Sequence, residues 1–284
     1  MTVRIVESVL TAQDAMDGAG VKIKRHSLVQ RSLADPFLLL DEIKSDDAQD
    51  FIAGFPPHPH RGIETLTYMR KGGIRHEDHM GNQGEVLSGG VQWMRAGKGV
   101  IHGEMPIKEH NTMHGFQLWI NLSKANKMMD PDYRDVPKEE IPHVQTKDYL
   151  AHVIAGDWNL NNAVYQGPLN RLEANAAYLD LELEAGGVFT HDIPEGHQVL
   201  VSVYEGAVVS KGKHTDKKEV YKGQIAQFNE KGELQLSSLE GGKALILHGK
   251  PHKEPVANYG PFVMNTMDEI EQAIQDYQNG VLTD

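Results

Sequence analysis

Two short segments carry histidine and glutamate side chains at the spacing of a β-strand. His58 and His60 lie two residues apart in FPPHPHRGIE, and His102 and Glu104 lie two residues apart in GKGVIHGE. Because side chains alternate between the two faces of a strand, each pair projects to one face. If the two segments lie side by side in a barrel, three imidazoles and one carboxylate converge. Such a set suits Fe(II), Mn(II), Ni(II), Cu(II) or Zn(II) and leaves coordination positions open for catalysis or ligand exchange.

The alternative explanation of this pattern is coincidence. The chain has 15 histidines among 284 residues, so random placement gives about one His-x-His pair. His58–His60 is the single such pair, and alone it carries little weight. The joint context is more informative, because both pairs have strand-like spacing, are flanked by glycine or proline and fall within one β-rich stretch. Together they predict a metal site.

The surrounding pattern predicts an all-β protein with two strand-rich stretches. Residues 36–122 contain short β-branched and aromatic runs separated by glycine-rich turns, such as FLLLDE, GIETLTYMRKGG and MHGFQLWINL. Regular short strands of this kind favour a sandwich or barrel over alternating β and α units. Residues 123–150 are polar and predict a connecting segment, and residues 151–249 form the second stretch. There, AYLDLELEAGG alternates, which predicts a strand with Leu179, Leu181 and Leu183 on one face.

The C-terminal segment predicts one amphipathic helix. Thr266 and Glu269 fit a capping box, in which each side chain accepts a hydrogen bond from a free amide of the first turn. Apolar residues follow at helical spacing, and a glycine then offers a stop: Ile270, Ala273, Ile274, Tyr277 and Gly280. We expect this helix to cover a sheet or a sheet edge.

Composition excludes several classes of site and partner. The chain has no cysteine, which excludes disulfides, thiolate metal sites and cysteine nucleophiles. With 28 basic against 40 acidic side chains, the formal charge is −12, which argues against direct nucleic-acid binding. No signal peptide or run of 18 apolar residues is present, so we expect a cytoplasmic protein without a membrane partner, although this pattern does not separate cytoplasm from nucleus.

Several long motifs resemble the pirin family of the cupin superfamily: DPFLLLDE, HPHRGIETLTY, VQWMRAGKGVIHGEMP, HGFQLWINL and YGPFVMNT. The resemblance runs from about residue 24 to residue 280. It implies an all-β bicupin fold, two stacked jelly-roll barrels with a C-terminal helix. By this resemblance, residues 1–135 form the N-terminal metal-binding barrel, and residues 136–284 form a C-terminal barrel without metal together with the helix. The metal ligands carried over are His58, His60, His102 and Glu104.

The resemblance also implies an activity, the oxidative ring opening of flavonols such as quercetin with O2. The cofactor would be one divalent metal ion, with Fe(II) favoured and Mn, Ni, Cu or Zn as alternatives. A Lewis-acid ion lowers the pKa of a bound hydroxyl, and Glu104 would be the catalytic residue, either as a ligand or as the base that takes that proton. The partners expected are therefore a small aromatic or flavonol substrate and O2.

A second hypothesis makes the protein a regulator. Eukaryotic pirins are iron-dependent transcriptional co-regulators, and the resemblance therefore also allows a protein partner whose affinity depends on the metal or its redox state. A third alternative is a cupin that retains a metal without a natural reaction. The sequence does not identify a partner or choose among these alternatives.

Other residues have plainer interpretations. We expect Glu64 to support a metal-bound imidazole from outside the ligand set, and His76 and His79 to be solvated loop residues. Gln92, Trp93 and Met94 are expected to support the pocket or the core, and Phe55 and Pro56 to shape the cavity mouth. In the second stretch, the remaining candidates lack His-x-His spacing and predict a structural barrel: His191, His197 and His248.

Overall fold

The computed structural model describes residues 2–29, 31–108, 110–213, 217–229 and 231–284. Within them the chain is mostly β, with one α-helix, as the sequence predicts. The strands of the first half are β1 (Val6–Thr11), β2 (Gln13–Asp17), β3 (Val21–Ser27), β4 (Phe37–Ser45), β5 (Phe55–His60), β6 (Ile63–Lys71), β7 (Gly73–Asp78), β8 (Gln83–Leu87), β9 (Val91–Arg95), β10 (Val100–Pro106), β11 (Met113–Asn121) and β12 (Asp132–Val136).

The second half contains the remaining strands and the helix. They are β13 (His143–Gln145), β14 (Tyr149–Ala155), β15 (Asp157–Leu160), β16 (Ala163–Gln166), β17 (Ala177–Leu183), β18 (Val188–Asp192), β19 (Gln198–Ser210), β20 (Lys218–Tyr221), β21 (Gln224–Phe228), β22 (Glu233–Ser237), β23 (Gly242–Gly249), β24 (Ala257–Tyr259), β25 (Phe262–Met264) and α1 (Met267–Gln278). Short 3-10 helices cover Ala48–Asp50, Lys138–Glu140 and Glu173–Asn175.

Contacts divide the described chain into two units. The unit that holds the histidine motifs, here called the histidine unit, comprises the described parts of 13–30, 37–138 and 252–284, and the second unit comprises those of 1–12, 31–36 and 139–251. The chain passes from the histidine unit to the second unit after residue 138, and the expected domain division at residue 135 stays a prediction. The N-terminal segment belongs to the second unit because β1 pairs with β21. The C-terminal segment belongs to the histidine unit, where the first residue of β25 bridges to Arg61.

The histidine unit contains two antiparallel sheets that together position the motif residues. The larger has the order β12-β9-β6-β11-β4-β3-β2, and the smaller has the order β5-β10-β7-β8. The smaller sheet makes neighbours of the two histidine motifs, since β5 carries HPH and β10 carries His102 and Glu104. Buried apolar side chains of the larger sheet, including Met69 and Met113, pack with Ile74 and Val86 of the smaller one.

The second unit is built around a ten-stranded sheet with the path β1-β21-β19-β23-β17-β14-β13. Strand β17 shows the predicted alternation, but both of its faces are largely buried. Leu179 and Leu181 are fully buried in the apolar core, while Asp180 on the opposite face is also fully buried. The hydroxyl of Tyr204 donates a hydrogen bond to Asp180 over 2.6 Å, which provides the partner that a buried carboxylate requires.

Two local predictions have different outcomes. The helix is confirmed: Thr266 is its N-cap, and the Glu269 carboxylate accepts from the Thr266 amide over 2.9 Å, which completes the capping box. Residues 123–150, expected to be only a connection, contain two strands. Of these, β12 pairs with β9 in full register from Asp132 opposite Arg95 to Val136 opposite Val91. Strand β12 was missed by the sequence analysis because this edge strand is mostly charged and lacks the apolar alternation that indicates a strand.

Candidate metal centre

The structure brings three imidazoles of the histidine unit together. His102 on β10 lies directly opposite His58 on β5, and His60 is on the same strand as His58. The ring centroids are 4.8 Å apart for His58 and His60, 4.4 Å for His58 and His102, and 5.1 Å for His60 and His102. One ring nitrogen from each residue lies within 4.8 Å of the other two. These nitrogens are close enough to share one ion.

The outer ring nitrogens have partners that leave the inner ones available. Nδ1 of His58 lies 2.9 Å from the carbonyl oxygen of Pro56, and Nδ1 of His60 lies 3.3 Å from that of Pro261. A neutral imidazole that donates from Nδ1 keeps its lone pair on Nε2, the arrangement common to metal-binding histidines. Nε2 of His102 is buried and has no hydrogen-bond partner among the described residues. A metal ion at this point would satisfy that nitrogen.

Burial keeps the rings of His60 and His102 neutral. It lowers the pKa of His60 to about 3, with a smaller contribution from the charge of His58. Burial also lowers the pKa of His102 well below its ordinary range, with further contributions from the neighbouring imidazoles. Because an imidazole must be deprotonated to bind a metal, His60 and His102 are in the ligating form at neutral pH.

Glu104 lies near the three histidines but outside their group. Its carboxylate is buried and accepts hydrogen bonds from the Thr67 hydroxyl and the Gln117 amide, each over 3.1 Å. Relative to β5, His102 is opposite His58 and Glu104 is opposite Phe55, with an extra residue on the β5 side. Relative to β7 the register is regular, with Glu104 opposite His76, so Glu104 shares a face of β10 with His102, and its role as a ligand stays a prediction. Among the described residues, the group whose ligand atoms lie within 4.8 Å of one another contains the three histidines without Glu104.

A cavity of about 740 Å³ opens on His58 and His60. Its apolar wall includes Phe55, Pro56 and Trp119, so Phe55 and Pro56 lie where the sequence places them. The ring of Trp119 meets His60 edge-on, with centroids 5.1 Å apart and planes at 86°. The volume lies within the range of small-molecule sites. A flat aromatic molecule could therefore pack between apolar side chains while reaching two of the three imidazoles.

Charged residues form another part of the cavity wall. Arg25 donates two hydrogen bonds to Asp41, over 2.9 and 2.6 Å, and another to Asp17. Burial by itself raises the pKa of Asp17, but its hydrogen bonds, first of all that from Arg25, hold the pKa below its usual value. Asp17 and Arg25 line the cavity together with Gln117. They provide polar groups that can orient hydroxyls of a bound molecule.

The C-terminal hairpin β24–β25 completes the cavity. Pro261 accepts the His60 hydrogen bond, and Pro261 and Val263 both line the cavity. Gly62 has a φ of +84°, and a Cβ at this position would lie 2.0 Å from the Val263 carbonyl oxygen. Arg61 binds Asp276 of α1 over 2.6 Å. The residues next to the HPH motif are thus joined directly to the C-terminal segment.

His76 is the functional candidate that sequence reasoning missed. It was expected to be solvated, but it is fully buried, and its Nδ1 lies 3.4 Å from Nδ1 of His102. His79 is exposed, as expected. The available signal was the spacing of His76 and Asp78, which share one face of β7. Its meaning depends on the pairing of β7 with β10, which places Asp78 opposite His102.

The other candidates occupy varied positions. Glu64 is 2% exposed and lies outside the histidine group. Its role in supporting a ligand stays a prediction. Met94 belongs to an apolar core cluster. Gln92 donates to Asp135 over 3.0 Å, and Arg95 lies over the ring of Trp93 at 5.5 Å. These three residues therefore support the strands around the site.

The second unit has its own buried imidazoles, arranged around Trp158. The Trp158 ring lies 4.7 Å from that of His191 and 5.0 Å from that of His248. Nδ1 of His197 lies 3.0 Å from Nδ1 of His248. Burial lowers the pKa of each ring. Their packing fits a structural role, and the absence of a second metal stays a prediction.

In the described ranges, no helix has both the length and the apolar character needed to cross a bilayer.

Comparisons with known proteins agree with this architecture. The Pirin family model matches residues 19–120, and the model of the Pirin C-terminal cupin domain matches residues 178–283. A Pseudomonas aeruginosa protein named "putative quercetin 2,3-dioxygenase" is 45% identical, over 96% of this chain and 95% of its own length.

Two solved structures extend the comparison to the fold. A structure titled quercetin 2,3-dioxygenase from Acinetobacter baumannii has a TM-score of 0.88, with 32% identity over 99% of both chains. The Escherichia coli pirin YhhW in complex with nickel(II) has a TM-score of 0.64 and 17% identity, over 86% of this chain and 100% of its own, and shows the fold alone. The predicted bicupin fold is confirmed, and the chain belongs to the pirin family.

Proposed function

We propose that the protein is a metal-dependent dioxygenase that opens the ring of flavonols such as quercetin with both atoms of O2. The observation that carries this proposal is the position of His58 and His60 at a cavity of about 740 Å³ whose wall includes Phe55 and Trp119. A three-ring aromatic molecule suits such a space. The names of the Pseudomonas and Acinetobacter relatives support the same substrate class.

The ligand set in this proposal is His58, His60, His102 and Glu104, holding one divalent ion. Fe(II) is our first choice, with Mn, Ni, Cu and Zn as alternatives, because nitrogen and oxygen ligands accept all of them. The neutral state of His60 and His102 and the unpartnered Nε2 of His102 support the imidazole part of this set. A bound ion would act as a Lewis acid that lowers the pKa of a coordinated hydroxyl.

The side chains of this chain would then position the flavonol and move one proton. Glu104 either stays bound to the ion or leaves it and takes the proton of the flavonol 3-hydroxyl. Thr67 and Gln117 hold its carboxylate through the hydrogen bonds described above. Phe55 and Trp119 pack against the flat rings and exclude water.

The test follows loss of flavonol absorbance and uptake of oxygen by protein loaded with each candidate metal. The double variant His58→Ala/His102→Ala should lose turnover, while His79→Ala, an exposed histidine outside the ligand set, should keep it. Turnover that survives in the double variant would refute the proposal, as would its absence with every metal. The same metal-free and metal-loaded samples, used in pull-downs, test the alternative of a regulator acting through protein partners.

A further inference from the structure

His76 and Asp78 extend the metal centre beyond its proposed ligands. Strand β7 is the neighbour of β10 on the side away from β5, with His76 opposite Glu104 and Asp78 opposite His102. Both side chains are withdrawn from solvent completely. They are two residues apart, so both side chains lie on the same buried face of β7, next to β10.

The contacts of His76 determine which of its ring nitrogens faces His102. Its Nδ1 lies 3.4 Å from Nδ1 of His102, and its ring stacks on Tyr133 with centroids 4.7 Å apart and planes 19° apart. Nε2 of His76 faces the Asp78 carboxylate at 3.7 Å. Stacking thus holds the ring plane, with one nitrogen toward His102 and the other toward a carboxylate.

This arrangement determines where the protons lie. If His102 binds a metal through Nε2, its Nδ1 carries the proton and needs an acceptor. Nδ1 of His76 can accept only when the His76 proton is on Nε2, the nitrogen that faces Asp78. A negative charge at Asp78 favours that tautomer.

Asp78 is itself held in place. One of its oxygens accepts from the Met80 amide over 2.9 Å and from the Asn82 amide over 3.0 Å. The other accepts from the Asn82 side chain over 2.8 Å. These donors hold the carboxylate in one orientation.

We propose that His76 is a positioning residue of the metal centre. Its Nδ1 accepts a hydrogen bond from the Nδ1–H group of His102, and its ring is oriented by Asp78 and Tyr133. Among the described contacts, His102 differs in this from His58 and His60, whose Nδ1 atoms face backbone carbonyls. A side-chain acceptor can be changed by mutation, whereas a carbonyl cannot. His76 therefore sets how firmly His102 binds, and through it the affinity of the centre. This inference rests on the ligand set of the proposed function and is independent of the flavonol reaction.

The test measures the dissociation constant for Ni(II), by competition with a chelator, for the full chain and its variants. His76→Phe keeps an aromatic ring against Tyr133 but has no acceptor, and should weaken binding about 10- to 100-fold, the range found when partners of metal-bound histidines are removed. His76→Gln can accept from His102 through its amide oxygen and should stay within about threefold of the wild type. Glu77→Gln, at an exposed position on the same strand, is the matched control and should not change binding.

A second pair of variants keeps the test valid if His76→Phe does not fold. His76→Leu and His76→Gln are similar in size and both lose the stacking ring, but only Gln offers an acceptor. The Leu variant should bind Ni(II) at least about tenfold more weakly than the Gln variant. The visible spectrum of the Co(II)-loaded protein should change in the Leu variant and not in Glu77→Gln, because only the Leu variant alters the ligand field of the bound ion.

The outcomes separate this inference from the proposed function. Phe and Leu variants that bind Ni(II) as tightly as the wild type would overturn it, and so would a Gln variant as weak as Leu. A wild type that binds no Ni(II) would overturn both this inference and the ligand set. Wild-type protein that binds Ni(II) through His76-dependent contacts but turns over no flavonol with any metal would refute the proposed function and leave this inference intact.

Discussion

Nδ1 of His60 lies 3.3 Å from the carbonyl oxygen of Pro261, a residue 201 positions later in the chain. This hydrogen bond joins a proposed metal ligand on β5 to the turn between β24 and β25. The cavity is therefore not a property of the histidine motifs alone. It depends on the C-terminal segment as well.

Gly62 should not tolerate a side chain. A Cβ there would lie 2.0 Å from the Val263 carbonyl oxygen, and the φ of +84° is unfavourable for other residues. Gly62→Ala should lower the free energy of unfolding by about 2–3 kcal/mol, as measured by urea denaturation. Gly103→Ala is the matched control, since a Cβ there meets its nearest atoms at 3.5 Å. Equal stabilities of the two variants would contradict this account of the close approach.

The Arg61–Asp276 ion pair should stabilise the docking of α1. The Arg61 side chain is 5% exposed, and removing its carboxylate partner leaves a nearly buried cation with one fewer acceptor. Asp276→Ala should therefore lower the free energy of unfolding by about 1–3 kcal/mol. Glu271→Ala, an exposed position on the same helix, should change it by less than about 0.5 kcal/mol. An Asp276→Ala variant as stable as the control would show that the pair contributes nothing.

Glu104 should matter for both binding and turnover. Glu104→Gln keeps the shape of the side chain but removes the negative charge and the base. We expect metal affinity to fall about tenfold or more and flavonol turnover to fall about 10²- to 10⁴-fold. Glu77→Gln, an exposed carboxylate on the adjacent strand, provides the comparison and should change neither quantity. Full turnover in Glu104→Gln would exclude Glu104 as the base.

The buried imidazoles of the second unit should make stability depend on pH. Burial, followed by the charge of His197, lowers the pKa of His248 well below its ordinary value of about 6.5. As the pH falls below that value, the unfolded chain binds a proton that the folded protein does not, so the free energy of unfolding decreases. The slope is about 1.4 kcal/mol per pH unit for each such histidine.

Urea denaturation of metal-free protein at about pH 7, 6 and 5 measures this slope. His248→Gln should have a shallower slope than the wild type by about one group, that is, by about 1.4 kcal/mol per pH unit. The difference should vanish above the ordinary pKa of histidine, where neither state binds the proton. Parallel slopes for the two proteins would show that His248 does not titrate between the two states.

The sequence predicted features that depend on local periodicity. The two-residue spacing placed His58 with His60, and the capping box located the start of α1. It could not predict which strands would be neighbours, so His76 was misjudged: its burial follows from the pairing of β7 with β10. Ligation by Glu104 stays a prediction. Alternation places it on the same face of β10 as His102, and its carboxylate accepts from Thr67 and Gln117.

The late position of the β24–β25 hairpin in the chain has a consequence for biosynthesis. A chain is made from its N-terminus, and domains generally fold as they emerge. The histidine motifs and most of their unit are therefore synthesised long before Pro261 and Val263, which supply the acceptor for His60 and part of the cavity wall. An interrupted chain would present the imidazoles without that wall. The enclosure of the proposed metal centre is therefore complete only in chains that have been translated through the hairpin.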